Sequence, residues 1–418
     1  MSSFVACGMA GSPCEQPAVS RSPSEAARPR QPSRGWPTRW LAGACATAVV
    51  VVGAAAAPAR AQAVKAPAAE RPAAAAAPAI AWHDVTAWGV EGRGWGDESR
   101  ARFFDRFPAA AEETLPPAVW NLSRDSAGML ARFRTDASAI QVRVALRSAR
   151  LAMPHMPASG VSGIDLYARD ADGRWRWVAA TKPDAQTMDV ALVGGLAPGE
   201  REYAAYLPLY NGVESLEIGV PEQASFVGLD PRPRPIVFYG TSITHGACAS
   251  RPGMTHVAIL GRRLDRPVLN LGFSGNGKMD AAVGDLLGRL DAACYVIDCL
   301  PNMDAALVRE RCVPLVKGLR ARRPTTPIVL VEDRRFTNEW ITPAKRAFHD
   351  ANHAALRDAF TTLEAGGVGG LWYLPGADLL GTDGEGAVDA SHPNDLGFMR
   401  QADAFEPVLR AALDAAAR

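Results

Sequence analysis

Two short stretches hold side chains that could do nucleophilic chemistry. The apolar run Ile236 to Tyr239, in "IVFYGTSITHG", ends in Gly240, Thr241 and Ser242. Near the carboxyl terminus, "DASHPNDLGF" sets Asp389 three residues before His392. A serine hydroxyl is a weak nucleophile and needs a base within hydrogen-bond reach. An imidazole serves as that base if its other ring nitrogen donates to an acceptor, and Asp389 can supply the acceptor from the same turn. Attack on an ester carbonyl creates an oxyanion, which needs preorganised donors. The candidates are the amides of Ser242 and of Gly275, in "LNLGFSGNGK", and the side chain of Asn302, in "VIDCLPNMD". The plain alternative is that Gly240 makes a turn and Ser242 caps the next helix.

The surrounding elements decide between these. From residue 234 onward, the apolar runs "PIVFYG", "RPVLNLG", "AACYVIDCL", "TPIVLVED" and "GGLWYLPG" alternate with helix-length segments. That alternation predicts a five-stranded parallel sheet with helices on both faces, a flavodoxin-like three-layer α/β/α domain over 234–418. Ligands in such sheets bind outside the carboxyl ends of the strands. Ser242, Gly275, Asn302, the Glu332–Asp333 pair and the Asp389–His392 pair each follow a different run, so one sheet edge should collect them. His245, Glu332 and Asp333 are candidate lining residues, although Glu332, Asp333 and Arg334 read equally well as a structural ion pair. His256, His349 and His353 fall on helical patterns and read as surface or packing residues.

Residues 81–228 read differently. "GMLARFRT" and "AIQVRVALRS" alternate apolar and polar residues, and "GIDLYARDADGRWRWVAA" is a hairpin about Asp172-Gly173. "REYAAYLPLYNGVESLEIGV" repeats the pattern about Asn211-Gly212. The expectation is an all-β, jelly-roll-like sandwich. Trp175 and Trp177 share one strand face and read as packing ahead of a sugar-stacking platform. The "PRPRP" junction at 231–235 leaves little slack. The sandwich loops "AMPHMPASGVSG" and "LPLYNGV" should therefore form a wall of the cleft.

The motifs GTSI at Ser242, FSGNG at Gly275, Asn302 and Asp389-x-x-His392, in that order, resemble those of the SGNH, or GDSL-like, hydrolase family. The resemblance spans about 185 residues, 234–418. The serine block reads GTSI rather than GDSL, and the asparagine block reads PNM rather than GxND. "GIDLY", together with "CASRPGM" after the serine, is similar to the bacterial branch that carries a β-sandwich ahead of the hydrolase domain and includes carbohydrate esterases and an acyltransferase. The resemblance implies a serine esterase acting on O-acyl, chiefly O-acetyl, esters of carbohydrates. Ser242 would be nucleophile, His392 base, Asp389 its partner, and Ser242, Gly275 and Asn302 the oxyanion hole. It implies no cofactor and no metal. An acyltransferase using the same site is the alternative, and a non-catalytic carbohydrate-binding protein is the reading from another class.

Other patterns fail on inspection. Gly272, Gly277 and Lys278 satisfy a phosphate-loop spacing, but Met279 has no hydroxyl for magnesium. Thr244 stands where the α/β-hydrolase elbow needs glycine. A net charge of +1 without a basic run points away from nucleic acid. Of seven cysteines, only Cys248, Cys294, Cys299 and Cys312 lie beyond residue 61, too few for a disulfide scaffold, and no spacing suggests zinc. Cys248 and Cys299 could pair or pack as thiols. Residues 1–61 read as an export signal, with Arg34 and Arg39 ahead of an apolar run closed by Ala59-Arg60-Ala61. Residues 62–80 read as an Ala/Pro spacer. The expected product is an exported protein that acts on a small-molecule or carbohydrate ester and keeps no membrane contact after cleavage.

Overall fold

The computed structural model describes residues 79–96 and 98–416. The expected signal and most of the spacer lie outside the described residues. The strands, in chain order, are β1 (Ile80–Asp84), β2 (Leu130–Thr135), β3 (Ala139–Leu146), β4 (Asp165–Arg169), β5 (Trp175–Ala180), β6 (Thr187–Gly194), β7 (Arg201–Tyr206), β8 (Val213–Pro221), β9 (Phe226–Leu229), β10 (Ile236–Gly240), β11 (Val268–Gly272), β12 (Cys294–Asp298), β13 (Ile328–Val331) and β14 (Leu371–Leu374). The helices are α1 (Pro117–Leu122), α2 (Ala158–Val161), α3 (Ser242–His245), α4 (His256–Arg263), α5 (Ala281–Leu287), α6 (Ala305–Arg322), α7 (Pro343–Ala365) and α8 (Asp395–Ala416).

The first nine strands form two antiparallel sheets, ordered β1-β8-β3-β6 and β5-β4-β7-β2-β9. Every second residue of β3 (Ile140, Val142, Val144, Leu146) is buried, as an inner sandwich face requires. The turn at Asp172-Gly173 joins paired β4 and β5, with Gly173 at φ +77°. The stretch about Asn211-Gly212 is not a hairpin. β7 belongs to one sheet and β8 to the other, so the chain crosses between them there. Asn211 anchors the crossing, accepting from the Ser148 amide at 3.0 Å and donating to the Ser148 carbonyl at 2.9 Å. Gly212 is needed for space, because a Cβ would stand 2.5 Å from the Arg124 carbonyl oxygen.

The remaining five strands form one parallel sheet, ordered β11-β10-β12-β13-β14. β10, β11 and β12 are buried along their whole length, so both faces are apolar. Val237 and Tyr239 face the layer of α5, α6 and α7, while Ile236 and Phe238 face α4 and α8. The chain leaves β10 for β11 on one side and returns to β12 on the other. The carboxyl end of β10 is therefore the topological switch point, where such sheets open a crevice.

The packing crosses the boundary between the two patterns. Trp95, Phe107, Ala111, Leu115, Val119 and Trp120, all upstream of β2, are buried in the same core as Leu269, Phe273, Val283 and Leu286. Trp95 donates its indole N–H to the Leu286 carbonyl at 3.0 Å. Arg106, fully buried, donates to the Asn270 and Gly272 carbonyls at 3.1 and 2.8 Å and so closes the end of β11. At about 2 kcal/mol per large apolar side chain, the five larger than alanine contribute on the order of 10 kcal/mol gross. That is comparable with the net stability of a whole domain, about 5–15 kcal/mol. A fragment of residues 234–418 should therefore aggregate or remain unfolded, whereas residues 79–418 fold; circular dichroism and gel filtration of the two decide it, and a soluble, cooperatively unfolding short fragment would refute the shared core.

Candidate active site

β10 runs into α3 with no intervening loop. Thr241 caps α3, its Oγ1 accepting from the Ile243 amide at 3.3 Å, and Gly246 ends it at φ +113°. Ser242 is thereby the first helical residue, at the edge of the sheet, 8% exposed. Glycines let the strand ends close up around it. A Cβ on Gly240 would stand 2.0 Å from Thr244 Oγ1, one on Gly272 2.0 Å from the His245 nitrogen, and one on Gly277 1.9 Å from the Gly240 carbonyl oxygen.

Ser242 Oγ lies 2.8 Å from His392 Nε2, and His392 Nδ1 lies 2.7 Å from Asp389 Oδ2. Asp389 also accepts from the Ser391 and His392 amides at 3.1 and 2.8 Å. One carboxylate thus shapes the turn and holds the imidazole. Partial burial works to raise the Asp389 carboxyl, but the His392 amide, ring and charge outweigh it and keep it below its ordinary value. The turn is pinned from both sides: Ala390, at φ +72°, accepts from the Thr337 amide at 2.9 Å, and the Val388 amide donates to the His392 carbonyl at 2.8 Å. Asp395, at the start of α8, accepts from the Ser250 amide at 2.9 Å, tying this segment to the one after Ser242.

The amides of Ser242 and Gly275 donate to no acceptor among the described residues. Gly275 has φ +70° and open space where a Cβ would be, so the backbone angle requires the glycine. The Asn302 carboxamide is best satisfied when turned so that its oxygen accepts from the Asn276 and Gly277 amides at 3.0 and 3.1 Å, an orientation that frees its NH2 group from the Phe273 carbonyl, to which the opposite one donates at 3.4 Å. Three donor groups from three strand ends therefore remain unspent beside a serine–imidazole–carboxylate chain. That arrangement can generate an alkoxide nucleophile and receive an oxyanion.

The candidate lining residues lie elsewhere. His245 is fully buried and stacks under Tyr210, ring centroids 4.0 Å apart. Burial, then the Arg106 charge, hold its pKa well below the ordinary value. Glu332 and Asp333 are each 2% exposed. Glu332 accepts from the Tyr373 hydroxyl at 2.7 Å and the Gly376 amide at 2.8 Å and pairs with Arg357, while Asp333 stands 3.4 Å from His349 Nε2. These residues join the ends of β13 and β14 to α7 and do not form the cleft surface. His256, His349 and His353 are buried packing residues. Cys248, Cys294, Cys299 and Cys312 are free thiols. Among the described residues, no cluster of histidine, cysteine or carboxylate side chains could hold a metal ion.

The residue of the fourth strand end that does reach the site's framework is Arg334. Its guanidinium makes a two-pronged ion pair with Asp298 at the end of β12, with Nη2 2.8 Å from Oδ2, and both side chains are fully buried. Asp298 also accepts from Thr244 Oγ1 at 3.0 Å, and Arg334 Nε donates to Gln401 of α8 at 2.7 Å. The signal in the sequence was Asp298 itself: a carboxylate ending an otherwise apolar buried strand must find a partner.

Two sandwich residues were also missed. Tyr210 donates its hydroxyl to the Ser242 carbonyl at 3.3 Å, and burial pushes its phenol well above the ordinary value, so it remains a donor. His155 places its ring centroid 6.2 Å from that of His392. The GIDLY and CASRPGM segments meet directly: Asp165 accepts from Arg251 at 2.9 Å, from the Gly253 amide at 2.8 Å and from Trp177 Nε1 at 2.9 Å.

Residues 233–410 match the GDSL-like lipase/acylhydrolase family, and residues 80–226 match the GxDLY family, described as the N-terminus of SGNH-hydrolase-type esterases. A Bacteroides ovatus protein described as a GDSL-like lipase is 33% identical, with a TM-score of 0.76 over 80% of this chain and 98% of that one. The salicylyl-acyltransferase SsfX3 from a tetracycline biosynthetic pathway is 20% identical, with a TM-score of 0.63 over 80% and 95%. A family two carbohydrate esterase from Cellvibrio japonicus is 15% identical, with a TM-score of 0.52 over 81% and 99%. These last two share the fold. No curated protein matches the sequence.

Replacing Arg334 with Met strands the Asp298 charge in the core and should cost about 3–5 kcal/mol. Urea unfolding of the variant measures this, and Asp298→Asn in the same chain should recover part of the loss. A change below about 1 kcal/mol, the range of an exposed pair, would mean that the pair does not brace the strand ends.

Proposed function

Since the chain belongs to the GDSL-like lipase/acylhydrolase family and is an ester hydrolase, we propose that it cleaves O-acyl esters of carbohydrates, O-acetyl esters above all, through an acyl-enzyme on Ser242. The observation that carries this reading is the unbroken chain from Ser242 Oγ to His392 Nε2 at 2.8 Å and from His392 Nδ1 to Asp389 at 2.7 Å. His392 takes the Ser242 proton as Oγ attacks the carbonyl carbon, while Asp389 keeps the Nδ1 proton and steadies the imidazolium. The carbonyl oxygen becomes an oxyanion received by the Ser242 and Gly275 amides and the Asn302 side chain. Collapse breaks the bond to the alcohol oxygen, which leaves with the proton from His392 Nε2. Water, activated by the same imidazole, then releases the acid and restores Ser242.

The carbohydrate substrate is supported by the fold shared with a family two carbohydrate esterase. The same acyl-enzyme passes its acyl group to an alcohol when one occupies the place of the water, and the fold shared with a salicylyl-acyltransferase supports that second reading. Export before action is supported by the leader ending at Ala61. No described helix is long and apolar enough to cross a membrane.

Ser242→Ala and His392→Ala should each abolish turnover of p-nitrophenyl acetate and acetylated sugars in folded protein. Asp389→Asn should retain a trace, since loss of the aspartate costs up to about 10⁴-fold. Asn302→Ala should lower kcat by about 10²- to 10³-fold. Adding alcohols as acceptors measures the partition between hydrolysis and transfer. Near-wild-type activity in folded Ser242→Ala would refute the mechanism.

A further inference from the structure

Of the seven histidines, only His155 is both exposed and beside His392. His245, His256, His349 and His353 are buried, and His83 stacks on Phe226 at 3.8 Å on the sandwich. His155 also comes from the other part of the fold, the stretch "MPHM" between β3 and β4. Met153 and Met156 exchange backbone hydrogen bonds, each 3.0 Å, so Pro154 and His155 form the tip of a tight turn. Met156 is 2% exposed and, with Met153 against it, packs into the core that holds Ile243 and Phe238. The following segment is clamped to the hydrolase domain. A Cβ on Gly160 would stand 2.2 Å from the Ala249 carbonyl oxygen, and Ser159 Oγ donates to the Ser250 carbonyl at 2.7 Å. The turn is thus a fixed projection whose tip carries an imidazole that makes no hydrogen bond among the described residues.

Its place has a chemical consequence. The alcohol oxygen must lie within about 3 Å of His392 Nε2 to receive its proton. The next atoms of the alcohol extend from that edge of His392, and the ring of His155 stands with its centroid 6.2 Å from that of His392. A pocket for an apolar alcohol would line this space with carbon. An imidazole instead offers ring nitrogens that donate or accept. We infer that His155 contacts the alcohol portion of the ester and selects alcohols bearing further hydroxyl groups, by hydrogen-bonding one of them. This rests on the reading of Ser242 and His392 given above, and it assigns the sandwich a direct part in choosing the substrate. His155 takes no part in proton transfer to the reacting atoms.

The experiment compares wild type, His155→Ala and His155→Gln on p-nitrophenyl acetate, whose leaving group has no further hydroxyl, and on a monoacetylated methyl glucoside. Losing one hydrogen bond to substrate should lower kcat/KM on the sugar ester roughly tenfold, mainly through KM, with less than about threefold change on p-nitrophenyl acetate. His155→Gln, which keeps a donor and an acceptor, should recover part of the loss. Equal losses on both esters, no loss on the sugar ester, or a wild type inactive on it would each overturn the assignment. Ser242→Ala run alongside separates the two failures. If it retains p-nitrophenyl acetate turnover, the catalytic reading falls. If it is dead while His155→Ala is unchanged on the sugar ester, only the alcohol subsite falls.

Discussion

The buried ion pair between Asp298 and Arg334 is the constraint on which the site's geometry depends. Two charges removed from water are costly unless each is met by a partner in good geometry. Here the two-pronged pairing, Thr244 and Gln401 together supply those partners. Burial pushes the Asp298 carboxyl above its ordinary range, against the pull of Arg334 and Thr244. The four side chains come from the end of β12, the end of β13, the helix that begins at Ser242, and the helix that follows His392. The 2.8 Å contact between Ser242 Oγ and His392 Nε2, 150 positions apart, thus rests on elements that one polar cluster holds in register.

A second constraint is the fusion of the two folded parts. Asp165 is fully buried and spends its acceptor capacity on Arg251, the Gly253 amide and Trp177. Arg251 also donates to the Tyr167 hydroxyl at 2.5 Å, so two residues of the GIDLY segment converge on one guanidinium just downstream of Ser242. Tyr210 holds the Ser242 carbonyl, and Arg106 closes the end of β11. The sandwich and the segment before it therefore brace the serine turn, the glycine loop and the rim of the cleft. Conserving this packing limits how far the two parts could move apart without disturbing Ser242.

The parallel sheet was legible because fully buried strands read as unbroken apolar runs, and because Gly240, Gly272 and Gly277 mark where backbones approach too closely for a Cβ. Asp389 and His392 were legible because both partners sit in one turn. The crossing at Asn211-Gly212 was misread as a hairpin. Two alternating runs about Asn-Gly look the same whether they pair or part, and only the Leu207–Tyr210 interval, drawn off toward Ser242, separates the cases. Glu332 and Asp333 drew attention by standing at a strand end, yet Arg334 beside them is the side chain that reaches Asp298. Successive residues there diverge to different neighbours, which a linear pattern does not encode. Tyr210 and His155 were hidden for the same reason. Their loops were expected at the cleft from composition, but which side chain faces Ser242 or His392 is fixed by contacts far apart in sequence.

The central claim is that Ser242 is a nucleophile made reactive by His392. The direct measurement is to treat the full chain with a fluorophosphonate, digest it, and map the adduct by mass spectrometry. The account predicts stoichiometric phosphonylation at Ser242 alone in wild type, and loss of that labelling in His392→Ala although the serine is still present. A protein that turns over acetyl esters but remains unmodified at Ser242, or carries the adduct on another residue, would contradict it.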